Sequence, residues 1–260
     1  MADFQHVTIE AGERIARITL NRPEKANALN YVVVQELKTA LVAADNDPSV
    51  KVVVIKAAGP TFCAGLDLEY LYKLQQYGVE ENLYDARHVA ELYLLMAKMH
   101  KIVIVQVEGP ALATGCGLVA AADFAYATPQ ATFGFREVKM GFIPSLPIKT
   151  LIRKIGEGRT RQLLLSGDIV GAHTAADFGL IAGVTENENI ENYVLYRALQ
   201  FCKENSQSAI EVTKRLIHDT TEMPFDDALT FSIKMSAHAR MSLEARFGTQ
   251  CYITGQAIEW

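Results

Sequence analysis

Two runs, Val52-Val53-Val54-Ile55 and Ile102-Val103-Ile104-Val105, consist only of branched apolar side chains. A strand with one wet face alternates apolar and polar residues, whereas a strand covered on both faces has no polar position to alternate with. Both runs therefore predict strands buried on both faces. Ile15-Ala16-Arg17-Ile18-Thr19-Leu20 alternates instead, placing Ala16, Ile18 and Leu20 on one face and Arg17 and Thr19 on the other. Between these strands, Val33, Val34, Leu37, Ala40, Leu41 and Ala44 recur at helical spacing. A second helical tract runs from about Glu69 to His100 with a break at Gly78, and a third from the glycines near Gly115 through Leu118 to Ala122. Beyond Pro144 the pattern is helical: Thr160 to Leu165, His173 to Phe178, Ile190 to Cys202, Ser206 to His218, and a last helix starting near Phe225 after the break at Pro224. Strands alternating with helices, succeeded by helices alone, predict an α/β core with a helical C-terminal part.

Composition narrows the function classes. A formal net charge of -5 argues against a general nucleic-acid binder, which needs clustered Lys and Arg, but leaves room for an anionic small ligand held by a few local cations. No apolar run approaches the roughly 20 residues of a membrane helix, and Met1-Ala2-Asp3-Phe4 has none of the basic and apolar regions of a signal peptide. Cys63, Cys116, Cys202 and Cys251 show no CxxC or Cys/His ligand spacing, so they read as reduced, buried thiols of a cytoplasmic protein with no metal site. No phosphate-binding P-loop and no dinucleotide GxGxxG is present.

The chemistry-bearing residues lie after the buried strands. Phe62-Cys63-Ala64-Gly65-Leu66-Asp67-Leu68 comes after the first, and Leu112-Ala113-Thr114-Gly115-Cys116-Gly117-Leu118 after the second. Small residues there allow sharp turns, and a helix N-terminus presents unpaired amides to an anion. One such loop taken alone reads as a structural turn before it reads as a site; two, after neighbouring strands, make an oxyanion hole. A lone Glu is ordinarily a solvated surface charge. Glu137 is set apart by Phe133, Phe135, Met140 and Phe142, which would desolvate it and raise its pKa toward the range useful in acid-base work. Asp67 reads as a turn or capping residue, Asp123 as a structural hydrogen-bonding group, and Glu69, Glu108, His88 and His100 as surface side chains.

At these residues the chain resembles the crotonase (enoyl-CoA hydratase/isomerase) superfamily. The resemblance rests on Leu20-Asn21-Arg22-Pro23-Glu24-Lys25-Ala26-Asn27-Ala28-Leu29-Asn30, Phe62 to Leu68, Gly115-Cys116-Gly117-Leu118 with Asp123, Phe133 to Glu137, Gly141-Phe142-Ile143-Pro144, and Leu165-Ser166-Gly167-Asp168. These segments occur in family order and spacing. They cover about residues 4 to 220; the ending Ile253 to Trp260 departs from the usual family tail.

The resemblance implies a spiral of ββα units over residues 1-200. It also implies a helical trimerisation region over 201-260, assembled as a homotrimer or a dimer of trimers. It implies an acyl-CoA thioester substrate, coenzyme A being part of the substrate and no separate cofactor being needed. Carried over by position, the oxyanion amides are those of Leu66 and Thr114, and Glu137 falls on the family's second catalytic glutamate. Lys25, Ala26 and Ala28 lie along the coenzyme A, and Ala64, Asp67, Leu68, Gly115 and Gly117 join them in binding substrate. Two positions depart from two-glutamate hydratases: Gly117 stands where those carry their first acid, and Thr114 where they usually carry Gly. Bacterial methylglutaconyl-CoA hydratase-like members look similar at Gly117, Glu137-Val138 and Gly141 to Pro144.

The activity implied is hydration of a 2-enoyl-CoA, branched methylglutaconyl-like acyl groups included, by an oxyanion hole and a single glutamate. A 3-enoyl-CoA to 2-enoyl-CoA isomerase is the alternative, since one carboxylate can take a proton at one carbon and return it two carbons away. A carrier-protein thioester dehydratase of polyketide β-branching and a non-catalytic acyl-CoA-binding scaffold are further alternatives.

Overall fold

The computed structural model describes residues 4–185 and 189–260. An antiparallel pair, β1 (Val7–Gly12) and β2 (Ile15–Leu20), opens the chain and leads through α1 (Tyr31–Asn46) to β3 (Val52–Ala57). α2 (Leu68–Leu74) and α3 (Val79–Lys98) come next, then β4 (Ile102–Val107), β5 (Ala111–Leu112) and α4 (Thr114–Ala121). After them stand β6 (Phe124–Ala127), β7 (Thr132–Gly134), α5 (Ile148–Ser166), β8 (Ile169–Gly171), α6 (Ala172–Asp177) and β9 (Gly183–Val184). Four helices close the chain: α7 (Ile190–Glu204), α8 (Gln207–Thr220), α9 (Phe225–Arg240) and α10 (Leu243–Thr254).

The strands form two sheets among the described residues, one ordered β1-β2-β3-β4-β6-β9 and a smaller one ordered β5-β7-β8. The two apolar runs are neighbours in the larger sheet, β3 pairing parallel with β4 at Val52↔Ile102 through Ile55↔Val105. Both are covered twice. On one side, Val53, Ile55, Val103 and Val105 pack into a cluster with α1, α3 and α4. On the other, Val52, Val54, Ile102 and Ile104 meet Ile190, Val194, Ala198 and Cys202 of α7. Full burial of each such side chain contributes about 1.5–3 kcal/mol relative to exposure, so these strands form the anchor of the fold.

The chain climbs in β–β–α turns. β4 and β6 each enter the larger sheet, and the next strand after each, β5 and β7, enters the smaller one. Isolated parallel bridges, Cys63↔Ala111 and Leu29↔Leu66, continue the smaller layer toward the N-terminal side. The architecture is the expected α/β spiral with a helical C-terminal region.

The structure departs from the sequence-based expectations at three places. The helix expected over Thr160 to Leu165 starts as early as Ile148; Gly156, with φ 76°, kinks it and interrupts the apolar pattern. The last helical stretch is two helices, broken at Met241-Ser242, where the Ser242 side chain accepts from the Ala245 amide and caps α10. His88 is buried, stacked on Tyr31 at 4.3 Å between ring centroids, because α3 turns this face toward α1. α7 runs through positions 200 and 201 and packs on the sheet as far as Cys202. All four cysteines are buried free thiols. No described helix is long and apolar enough to cross a membrane.

Candidate active site

Three segments run side by side in the smaller layer. Cys63 pairs parallel with Ala111, and Ala111 pairs parallel with Phe133. Parallel neighbours leave a sheet at the same edge, and in open α/β proteins ligands bind beyond the carboxyl ends of the strands. The loops leaving these three residues therefore converge: Ala64-Gly65-Leu66, Leu112-Ala113-Thr114, and Gly134-Phe135-Arg136-Glu137. The Ala113 amide donates to the Gly134 carbonyl at 2.8 Å, and the Leu112 amide to the Cys63 carbonyl at 2.9 Å, which ties the three together.

Close backbone approach sets the two amides. Gly65 has φ 101°, and a Cβ there would lie 2.7 Å from the Ala113 Cβ and 3.6 Å from the Thr114 nitrogen. Only glycine fits so tight a contact at a positive φ. Ala113 itself takes φ 50° and ψ -122° as it caps α4, so Thr114 opens the helix with its N–H outside the helical ladder. Neither the Leu66 nor the Thr114 amide donates to another described protein group.

These residues open on a cavity of about 580 Å³. Leu66, Thr114 and Glu137 line it together with Lys25, Ala28, Ala64, Asp67 and Leu68. Ala26, Gly115 and Gly117 lie outside the lining. Ala26, at φ 51°, accepts from the Ala64 amide at 3.0 Å and aligns the Lys25-Ala28 segment with the 64–67 loop. Gly115 lets α4 sit on Cys63, whose carbonyl oxygen would be 2.5 Å from an added Cβ. Gly117 faces Tyr93 on α3, whose hydroxyl oxygen lies 2.1 Å from where its Cβ would be. A larger cavity of about 920 Å³ lies between α3, α4, α5 and α8, but it holds neither Glu137 nor the two free amides.

Glu137 begins a short 3-10 turn, Glu137–Met140, closed by Gly141 at φ 80°. Its Oε2 is buried with no hydrogen-bond partner. Burial pushes its carboxyl above the usual carboxylate range, in keeping with the apolar neighbours Phe133, Phe135, Met140 and Phe142. The other carboxylates lining the cavity are engaged. Asp85 accepts from the Tyr70 hydroxyl, Glu69 meets Lys25 at 2.9 Å, and Asp67 meets Arg22 at 2.8 Å. Asp67 also caps α2 by accepting from the Glu69 and Tyr70 amides. Burial pushes its carboxyl upward, but Arg22 and those amides outweigh burial and hold it below the usual range. Lys25, exposed at the mouth, is raised by its hydrogen bond to Glu69.

Sequence reasoning passed over three residues that shape the site. Arg22 binds both Asp67 and the Ala28 carbonyl, joining the segment before α1 to the loop before α2. Asn27, at φ 52° and almost fully buried, donates to the Ala58 and Thr61 carbonyls at 2.8 Å each. Tyr93 lines the cavity from α3. Asn takes the left-handed conformation more readily than other side chains, so Asn27 between two alanines was a readable signal for a tight turn. Tyr93 sits in an ordinary core pattern with Val89, Leu92 and Met96 and gave none. Asp123 is structural, accepting from the Val103 amide at 2.7 Å and pairing with Lys214.

Two amides without protein partners line the same cavity as a carboxylate whose Oε2 is buried and unpaired, and groups of these kinds can hold an oxyanion and move a proton. Comparisons with known proteins place the chain in a family. The family model described as Enoyl-CoA hydratase/isomerase matches residues 10–260. The chain is 30% identical to the crotonyl-CoA hydratase of Syntrophomonas wolfei over 87% of this chain and 86% of that protein. It is also 30% identical to the 2,3-dehydroadipyl-CoA hydratase of Escherichia coli, over 87% of each chain. The crystal structure of an enoyl-CoA hydratase from Mycobacterium smegmatis superposes with a TM-score of 0.92 at 27% identity, covering 98% of this chain and 99% of that one. These matches over nearly the whole length make this chain a member of the enoyl-CoA hydratase/isomerase, or crotonase, family.

Proposed function

We propose that this protein adds water across the double bond of a 2-enoyl thioester of coenzyme A, and removes it in reverse. The Leu66 and Thr114 amides hold the thioester oxygen as it becomes an enolate. Glu137 takes a proton from the attacking water and returns it to the α-carbon. The observation that carries this reading is the unpaired, buried Oε2 of Glu137 in the same cavity as two amides free of protein partners. Among the carboxylates lining that cavity, Glu137 is the one not already held by a neighbour. Removing a single oxyanion donor typically costs about 10²–10³ in rate, so the two amides carry much of the acceleration. Lys25, Ala28, Ala64, Asp67 and Leu68 line the approach and are assigned to the coenzyme A portion. A branched, methylglutaconyl-like acyl group is the substrate we favour, on the Gly117 and Glu137-Val138 pattern.

Gly117 supports a second reading. With no carboxylate at 117, Glu137 alone suffices to move a proton from the α-carbon of a 3-enoyl-CoA to its γ-carbon. Incubation with crotonyl-CoA, 3-methylglutaconyl-CoA and 3-hexenoyl-CoA separates the two. Formation of 3-hydroxyacyl-CoA is expected; double-bond migration with no water addition assigns the isomerase instead, and binding without turnover overturns both.

We also assign the C-terminal helices to self-association. No residue of α8 or α9 is buried, and Phe225, Leu243, Tyr252 and Ile253 expose 79%, 82%, 85% and 81% of their surface. A trimer, or two stacked trimers, would cover them. Light scattering on the purified protein tests this, and a monomer at micromolar concentration overturns it.

A further inference from the structure

A hydratase must hold its water as well as deprotonate it, and this site has one free carboxylate for the task. The second group is on α3. Tyr93 is 5% exposed, yet it lines the same cavity as Leu66, Thr114 and Glu137. Its hydroxyl oxygen lies 2.1 Å, and its Cζ 2.6 Å, from the point a Cβ on Gly117 would take. The phenol thus fills the space into which a side chain at position 117 would grow. Its one hydrogen is committed: the hydroxyl donates to the Thr114 carbonyl at 3.1 Å. That bond fixes the phenol to the residue whose amide forms half of the oxyanion wall. It leaves the oxygen's lone pairs free to accept.

We propose that the Tyr93 hydroxyl is the water-orienting group of this enzyme, accepting one hydrogen of the attacking water while Glu137 removes the other. The inference rests on the hydratase reading. In the step it describes, the water oxygen bonds to the β-carbon and the π pair moves through the α-carbon onto the thioester oxygen, facing the Leu66 and Thr114 amides. One water proton passes to Glu137. The enolate then collapses, and Glu137 returns that proton to the α-carbon. Tyr93 gains and loses no proton. Burial raises its phenol well above the ordinary range, so it stays neutral throughout. The site would then divide between two residues what a pair of carboxylates would otherwise share: one charged group moves protons and one neutral group aims the nucleophile.

The test is Tyr93→Phe, which keeps the ring that packs against α4 and deletes the oxygen. Two rates are read on wild type and variant: hydration of crotonyl-CoA, and deuterium exchange at the α-carbon of butyryl-CoA in D2O. The second needs Glu137 and the amides but no attacking water. Tyr93→Phe is expected to lower kcat for hydration about ten- to hundredfold with KM and melting midpoint little changed, and to leave α-exchange near the wild-type rate. Unchanged hydration in the variant overturns the role. So does a parallel loss of both rates, which identifies Tyr93 as a support for the oxyanion wall. A wild-type protein that exchanges the α-proton but adds water to none of the enoyl thioesters overturns the hydratase reading itself, and this inference with it.

Discussion

The inner end of the cavity and its mouth are built on opposite principles. At the inner end, position is set by contacts that permit no slack: Gly65 against Ala113, Gly115 against Cys63, Tyr93 against Gly117. The carboxylate there has one buried oxygen without a partner and is partly stripped of water. At the mouth, Lys25 and Glu69 pair in the open, with 43% and 76% of their side chains exposed. Leu68 is exposed as well. The inner end stores geometry and a half-satisfied carboxylate, while the mouth offers adaptable contacts that salt and solvent weaken. Changes at the inner end should therefore move kcat, and changes at the mouth should move KM.

The sharpest break in that contrast is Glu137→Gln. It is nearly isosteric, and loss of the proton carrier should lower kcat about 10²–10⁴-fold while coenzyme A binding, measured by calorimetry, stays close to wild type. In the intact enzyme Glu137 must be ionised to accept a proton from water. Its raised pKa therefore moves the acid limb of the kcat profile above the usual carboxylate range, with rate rising as pH passes through it. Gly65→Ala comes next. The added Cβ must displace Ala113 and strain a φ of 101°, shifting both amides, and a loss of about 10²–10³ in kcat is expected. A kcat within about threefold of wild type would mean that the amides do not hold the oxyanion.

Lys25→Ala probes the mouth. An exposed cation contributes about 0.2–1 kcal/mol, so KM should rise about two- to fivefold at low salt, less at high salt, with kcat unchanged. The smallest effect concerns stability. A carboxyl whose folded pKa lies above its unfolded value binds more protons in the native state, so its ionisation lowers stability as pH rises from the unfolded pKa to the folded one. Glu137→Gln should melt higher than wild type at neutral pH, with the gap closing below the ordinary carboxylate range. A variant that melts lower at neutral pH would show that the carboxylate is satisfied in solution.

How much of this could be read from the chain depends on distance along it. The buried strands were legible because Val52 to Ile55 and Ile102 to Val105 have no polar position, and two-sided burial leaves that signature locally. Glu137 was legible because its apolar neighbours lie within five residues in sequence. The loops at Gly65 and Thr114 were legible as small-residue turns after strands. Register could not be read. The pairing of Cys63 with Ala111, and of Ala111 with Phe133, brings the three loops to one edge, and nothing in any single segment encodes it. The same holds for Arg22 with Asp67. Tyr93 was hidden for a different reason, since a helix face that packs a core and a helix face that borders a cavity share one periodicity. His88 shows the converse, a polar residue drawn inside by a ring stack that no spacing rule describes.

The fit between Gly117 and the Tyr93 ring also governs how this enzyme can change. A glutamate introduced at 117 would drive its first side-chain carbon into the phenol, and the collision would reach the ring itself as well as the hydroxyl. Shrinking Tyr93 alone would empty a space beside Gly117 and Thr114. Position 117 and Tyr93 are thus coupled by volume, and a larger side chain at 117 requires the Tyr93 side chain to move or to be replaced.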